Sequence, residues 1–342
     1  MNIRFQNALK RIPQDVPPIW FMRQAGRYHK HYQVLRAKHS FMEMCKEPKL
    51  AAEVAMGPIE DFDFDVAILF SDLLFPLEAM GMGLKYDPAP QLGWHLTEER
   101  LKDLKRWDEA KAELEFQKQA VIETRKRLPE SKSLIGFVGG PWTLFAYAVE
   151  GAHKGGLEAS KRSLRLFRPF CEILLPLLKE NIQLQLEGGA EIVMIFDTAA
   201  GELSPHIYLE NVVPALKELA HAFPKKLGYY AKGVQQAHLR DELFSEQSPF
   251  AGFGFDHRWD LCEALRNYRA GFVQGNFDQS LLFLSADDFE REALKYLERV
   301  RALKPEERAG WVSGLGHGVL PATPEENVRR FVQLIREVMH ER

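Results

Sequence analysis

Short apolar runs recur along the chain, and each is followed by a polar or glycine-containing turn and then by a stretch with helical character. Continuous apolar runs, unlike alternating ones, are typical of strands buried on both faces, as parallel strands are. The eight runs occupy residues 19–22, 66–70, 134–138, 191–196, 226–231, 251–255, 271–275 and 310–314. Eight strand–helix units predict one domain over residues 1–342, a single (β/α)8 barrel of the TIM type, with an open doubly wound sheet as the alternative.

Helix start signals support this division. Ser285 with Asp288, and Thr323 with Glu326, have the spacing of capping boxes, and proline follows Thr323 at the first helical position. Residues 260–269 predict a short helix, long enough to join two neighbouring parallel strands.

The amino-acid composition argues against several classes of protein. The 342 residues are 46% hydrophobic and 27% charged, with a formal net charge of −3. This balance argues against nucleic-acid binding, which favours a basic excess, and it requires that local arginines bind any polyanionic substrate. No apolar stretch is long enough to span a membrane, and the amino terminus lacks the apolar core of a secretory signal, so we expect a cytoplasmic protein without a membrane partner. The cysteines Cys45, Cys171 and Cys262 are far apart and predict neither disulfides nor a zinc site.

Polar side chains follow the ends of the predicted strands. They are Arg23, Asp72, the turn at 139–142, Asp197 with Thr198, Lys232, Asp256, Asn276 with Asp278, and His317. In a parallel barrel these positions meet at the carboxyl-terminal face, where such barrels bind and react, so we expect an active-site cleft there. The alternative is that these residues are merely polar turns.

The segment MRQAGRY at residues 22–28 has the most specific pattern. Arg23 and Arg27 bracket the small pair Ala25 and Gly26, where the backbone can approach a ligand closely. Guanidinium groups match carboxylates with paired hydrogen bonds, so a carboxylate-rich ligand is the natural partner. On chemistry alone, a salt-bridged loop is an equal alternative.

Six segments, in order, resemble the signatures of the uroporphyrinogen decarboxylase family. They are RQAGRY at 23–28, FSD at 70–72, GGPWTLFAYAVEG at 139–151, FDTAAGELSP at 196–205, VQGNFD at 273–278 and LGHGVLPATPEENV at 315–328. The resemblance implies a single distorted (β/α)8 barrel, a cytoplasmic homodimer and a role in porphyrin and haem biosynthesis. It further implies that the four acetate side chains of uroporphyrinogen III are decarboxylated to methyl groups, giving coproporphyrinogen III, without a metal or other cofactor.

The same resemblance implies roles for individual residues. Asp72 would stabilise the transition state beneath the pyrrole nitrogens, and Arg23 would bind carboxylates and could assist proton transfer, although the proton donor stays open. The implied substrate-binding residues are Arg23, Gln24, Ala25, Gly26, Arg27, Asp72, Tyr147, Thr198 and His317. Arg36 matches a further arginine whose role is less defined.

One segment departs from the family pattern, and one acidic run raises the alternative of a metal site. His29, Lys30 and His31 replace the leucine–proline that family members often have after RQAGRY. The acidic run at 60–65 precedes its strand and predicts a solvated turn at the far end of the barrel rather than a metal site.

Two rival functions are a zinc-dependent thiol methyltransferase and a non-catalytic tetrapyrrole carrier. The first needs a histidine–cysteine zinc set, and here no histidine lies within two residues of a cysteine. The second is disfavoured by Asp72 occurring together with both arginines.

Overall fold

A curled parallel sheet organises the protein in the computed structural model, which describes residues 1–87, 89–153 and 155–340. The described strands are β1 (Val66–Ile68), β2 (Leu84–Tyr86), β3 (Pro90–Leu92), β4 (Ser133–Gly139), β5 (Val193–Phe196), β6 (Leu227–Tyr230), β7 (Gly252–Gly254), β8 (Phe272–Phe277) and β9 (Trp311–Leu315). Seven of them pair in parallel in the order β1-β4-β5-β6-β7-β8-β9. Seven of the eight predicted strands are therefore confirmed, and the sheet follows the chain order.

Among the described residues, the predicted first strand, residues 19–22, forms a single parallel bridge, between Ile19 and Ser313 of β9. On that side the Trp20 N–H donates to the Ser313 carbonyl oxygen at 3.2 Å. On the other side the Asp65 N–H donates to the Ile19 carbonyl oxygen at 2.9 Å. Residues 19–22 thus lie in the gap between the two edge strands, β9 and β1.

Alternate strand residues face two separate cores. Val66 and Ile68 of β1 pack with Met194, Phe272 and Val312 in one cluster inside the curled sheet. Their neighbours along the chain pack in a larger cluster between the sheet and the helices. Burial on both faces explains why these strands have continuous apolar runs.

Helices connect successive parallel strands. The described α-helices are α1 (Ile3–Leu9), α2 (Lys30–Arg36), α3 (Phe41–Lys46), α4 (Pro48–Phe62), α5 (Phe75–Leu77), α6 (Trp107–Ala110), α7 (Glu115–Arg127), α8 (Pro141–Glu150), α9 (Glu158–Arg162), α10 (Phe167–Gly188), α11 (Pro205–Ile207), α12 (Val213–Ala222), α13 (Leu261–Asn267), α14 (Ala286–Arg301) and α15 (Glu325–His340). Within the described ranges, no helix is long and apolar enough to cross a membrane.

One of the two predicted capping motifs is confirmed, and so is the short helix expected over residues 260–269. Ser285 caps α14 by accepting from the Asp288 N–H, and Asp260 caps the short helix α13. The capping box at Thr323 is wrong, because α15 begins at Glu325 and the buried Thr323 hydroxyl has no hydrogen-bond partner in the described part of the chain. Pro324 instead contributes its carbonyl oxygen to the first turn of α15.

The acidic run is not simply a solvated turn. Asp65 is buried, and its carboxylate accepts from the Ile19 N–H at 2.9 Å and the Asn2 side-chain amide at 3.1 Å. Arg4 and Arg336 form ion pairs with the same carboxylate. Asp65 therefore anchors residues 18–19 and the amino terminus beside β1, a role that the sequence did not indicate.

Candidate active site

The loop after residues 19–22 is held in place by Gln24. Its side-chain amide donates to the Val66 carbonyl oxygen at 3.0 Å and accepts from the Phe21 N–H at 3.0 Å. The Tyr28 hydroxyl donates to the Gln24 carbonyl oxygen at 2.8 Å. Because these bonds use the buried Gln24 side chain, its geometry supports the loop rather than a ligand.

Arg23 and Arg27 project from this loop and are exposed. Arg23 has a φ of 59°, a left-handed conformation that is uncommon outside glycine. Its side chain packs on Gly318, where an added Cβ would lie 2.6 Å from the Arg23 Cδ. Among the described residues neither guanidinium forms an ion pair, so the alternative of a salt-bridged loop is not supported. Both cations are available to a ligand.

Asp72 lies just beyond β1, where it is half-buried. Its Oδ1 accepts from the Leu74 N–H at 2.8 Å. Burial raises the pKa of Asp72, and the Leu74 amide, the Tyr86 hydroxyl and the Arg23 guanidinium oppose that rise. A carboxylate with a raised pKa next to a permanent cation, at the carboxyl end of a parallel strand, is typical of a functional group.

Tyr147 of α8 faces the same point. Burial raises the pKa of its phenol, and the Asp72 carboxylate raises it further while Arg23 lowers it. Tyr147 therefore stays a protonated hydrogen-bond donor at neutral pH. The structure thus brings together Arg23, Asp72 and Tyr147, which lie far apart in the sequence.

His317 follows β9 on the other side of Arg23. Its Nδ1 lies 3.1 Å from the Tyr230 hydroxyl, and the two rings stack with centroids 6.1 Å apart. Burial lowers the pKa of His317 to about 3, with further lowering by Arg23 and Lys232. His317 is therefore neutral in the free protein and offers a hydrogen bond rather than the ion pair that the sequence also allowed.

Cationic and polar groups complete this end of the sheet. His153 and His257 are close enough to His317 to lower its pKa, as is Lys232. Thr198 is half-buried directly after Asp197 at the end of β5. The local charge suits a polyanion although the whole protein is slightly acidic.

Several other strand-end residues stabilise the fold instead. Asp256 accepts from the Gly233 N–H and pairs with Arg258, and Asn276 donates to the Asp256 and Trp259 carbonyl oxygens. Asp278 caps a short 3-10 turn. For these positions the simpler interpretation, a polar turn, is correct.

The segment after the arginine loop has its own anchor. His29 is fully buried, and its Nε2 lies 2.6 Å from an Asp61 Oδ2 at the end of α4. Arg36 is exposed and donates to the His39 carbonyl oxygen at 2.9 Å. The histidines that depart from the family pattern thus attach this segment to α4.

Two residues lie near Asp72 although no sequence pattern marked them as part of the site. Tyr86 and Cys45 both have a raised pKa owing to burial first and to Asp72 second. Tyr86 ends β2 in a two-stranded antiparallel hairpin, which lacks the continuous apolar run that marks the parallel strands. The only sequence signal was the turn-forming run DPAP after Tyr86.

The described residues contain no group of three or more histidine, cysteine, aspartate or glutamate side chains that could hold a metal ion. Cys45 and Cys171 are buried and Cys262 is half-buried.

Two comparisons of the sequence with known proteins agree on one family. A sequence model described as Uroporphyrinogen decarboxylase (URO-D) matches residues 1–338. Proteins named uroporphyrinogen decarboxylase from Solibacter usitatus and Pelobacter propionicus are 33% and 34% identical to the chain, and the alignments cover 98% and 99% of both partners. A solved methyltransferase from Methanosarcina mazei superposes with a TM-score of 0.78 over 99% of the chain and 98% of its own, at 20% identity. This last similarity concerns the fold alone.

Proposed function

The chain belongs to the uroporphyrinogen decarboxylase family, and from this premise we propose that it decarboxylates the four acetate side chains of uroporphyrinogen III to give coproporphyrinogen III in porphyrin and haem biosynthesis. The observation that carries the proposal is the meeting of Arg23, Asp72 and Tyr147 at the carboxyl end of the parallel sheet.

Each decarboxylation needs an acceptor for the electron pair of the breaking carbon–carbon bond. Protonation of a pyrrole carbon next to the acetate-bearing carbon makes an iminium-like cation, and the pair flows into it as carbon dioxide leaves. A proton then adds to the resulting exocyclic methylene carbon while the ring proton is lost, so the net change consumes one proton and releases one carbon dioxide. Because the substrate is its own electron acceptor, we propose that no metal or organic cofactor takes part.

In this mechanism Asp72 accepts hydrogen bonds from the pyrrole N–H groups and offsets the developing positive charge. Arg23 and Arg27 bind substrate carboxylates, with Tyr147, Thr198 and neutral His317 as hydroxyl and imidazole donors. Ala25 and Gly26 give the backbone a close approach to the substrate, while Gln24 contributes by holding the loop.

We further propose that residues 19–22 act as the eighth strand and close the sheet into a (β/α)8 barrel. The hydrogen bonds of this segment to β9 and to Asp65 support that closure, as does the packing of Trp20 and Met22 in the inner core. The proposal includes one domain over the whole chain, a homodimer and a cytoplasmic location, for which family membership is the support.

The test is anaerobic incubation of purified protein with enzymatically prepared uroporphyrinogen III, followed by chromatography that counts the carboxyl groups of the oxidised products. Products with seven, six, five and four carboxyls are expected in turn. Unchanged eight-carboxyl material would contradict the proposed function and would leave the carrier as the better interpretation. Light scattering on the same sample measures the mass and tests the dimer.

A further inference from the structure

Tyr86 ends a hairpin, β2–β3, that stands apart from the parallel sheet. Its ring packs against Phe41 with centroids 4.5 Å apart, and Phe41 in turn contacts Phe70, two residues before Asp72. These contacts fix the Tyr86 ring beside the end of β1.

The Tyr86 hydroxyl is buried and has no hydrogen-bond partner of ordinary geometry within the described ranges. Such a group is costly, since in the unfolded chain water satisfies it, and buried hydroxyls are nearly always paired. The phenol lies near the Asp72 carboxylate, because burial first and that carboxylate second raise the pKa of Tyr86. The Leu74 amide occupies only part of the acceptor capacity of that carboxylate.

On these grounds, and resting on the proposed function, we propose that Tyr86 is a positioning residue for Asp72. The Tyr86 hydroxyl donates a hydrogen bond to the Asp72 carboxylate and so orients this carboxylate towards the substrate. A small adjustment of either side chain completes the bond. Tyr86 need not touch the substrate, because it acts through Asp72.

The ionisable groups around Asp72 come from four elements. They are Arg23 from the loop after residues 19–22, Cys45 from α3, Tyr86 from β2 and Tyr147 from α8. The pKa values of the thiol and of both phenols are raised, so these three groups stay neutral at neutral pH. Of the four, only Arg23 carries a charge, and only Arg23 and Tyr86 lower the pKa of Asp72.

Tyr86→Phe tests the proposal, because it removes the hydroxyl and keeps the ring. We expect kcat to fall about tenfold with KM changed less than twofold, since a hydrogen bond to a charged group is lost. The acid limb of the kcat profile should move to higher pH by about one unit, because the ionised form of Asp72 loses a donor. The melting temperature should stay the same or rise slightly.

Tyr268→Phe is the matched control. Tyr268 is likewise buried, its phenol pKa is raised to about 12 by burial alone, and it has no part in the proposed site. This variant should keep both the kcat and the pH profile of the unmodified enzyme.

An active enzyme in which Tyr86→Phe retains full kcat and an unmoved acid limb would overturn the positioning role, whereas an inert unmodified protein would instead overturn the proposed function. If Tyr86→Phe fails to fold, incorporation of 3,5-difluorotyrosine at position 86 keeps the shape and strengthens the donor. The acid limb should then move to lower pH, and an unmoved limb would again contradict the proposal.

Discussion

Two aspartates follow parallel strands at the same end of the sheet, yet their surroundings differ. Asp197 follows β5 and is fully buried, and one of its oxygens accepts from the Thr143 N–H at 2.8 Å and the Thr143 hydroxyl at 2.7 Å. Asp72 follows β1 and is half-buried, with one backbone donor, Leu74, and a guanidinium nearby.

Burial raises the pKa of both carboxyl groups, but different neighbouring groups oppose that rise. At Asp197 the neighbouring donors are neutral hydroxyl and amide groups, and the pKa rises to about 6. At Asp72 a permanent cation, Arg23, opposes the rise. Asp197 is therefore a carboxylate held by donors of the fold, whereas Asp72 stays partly exposed beside a cation, the setting in which carboxylates commonly carry function.

Asp72→Asn should show the largest effect, a loss of activity of about a thousandfold with little change in melting temperature. The amide keeps the shape but cannot offset positive charge on the substrate. Product counting by chromatography measures the loss. Asp278→Asn is the matched control, because asparagine caps a turn nearly as well as aspartate. Appreciable turnover by Asp72→Asn would contradict the contrast between the two aspartates.

Asp197→Ala should act on stability instead, lowering the free energy of unfolding by about 3 kcal/mol because the buried Thr143 donors lose their acceptor. The folded fraction that remains should keep its kcat. Urea denaturation followed by circular dichroism measures the change. A fully stable Asp197→Ala variant would show that this buried network does not support the fold.

The pH dependence of stability should differ between the unmodified protein and the Asp197→Asn variant. The folded-state pKa of Asp197, about 6, lies above its ordinary value of 3.8, so the protonated form favours the folded state. This contribution is complete below about pH 4 and is lost as the pH rises through 6, a change on the order of 2–3 kcal/mol. Asp197→Asn should lack it, so the variant should gain stability relative to the unmodified protein between pH 4 and pH 7. The assignment would be contradicted if the free energies of unfolding of the two proteins, measured by urea denaturation, changed equally with pH.

Arg23→Gln and Arg27→Gln should each lower kcat/KM by roughly 30-fold, since each removes a charged contact to a substrate carboxylate. Only Arg23→Gln should also move the acid limb of activity to higher pH, because Arg23 alone of the two lowers the pKa of Asp72. Steady-state kinetics between pH 5 and pH 8 distinguish them. If the acid limb of the activity profile moved equally in both variants, the titrating group would be the substrate and not Asp72.

Much of the fold was predictable because continuous apolar runs mark strands that are buried on both faces. Seven such runs are strands of the parallel sheet, Ser285 caps its helix as its spacing indicated, and the short helix expected over residues 260–269 is present as α13. Thr323 failed as a cap because, among the described residues, its buried hydroxyl has no partner, a tertiary outcome that a local motif cannot foresee.

The candidate site was predictable residue by residue only where a side chain followed a strand or lay in a family motif. Arg23, Asp72 and Tyr147 came from such positions, whereas Tyr86 lies in a hairpin that no strand pattern linked to Asp72. The roles of Gln24 and Asp65 as anchors depend on partners more than 40 residues away in the chain.

The sequence by itself determined the family, the parallel strands and the cationic character of the loop at residues 23–28, because periodicity and motif are local properties of the chain. Only the tertiary structure decided which of two similar aspartates is enclosed by the fold and which meets an arginine. Burial and the distance between charges set the protonation of a carboxyl, and both are properties of residues brought together by folding.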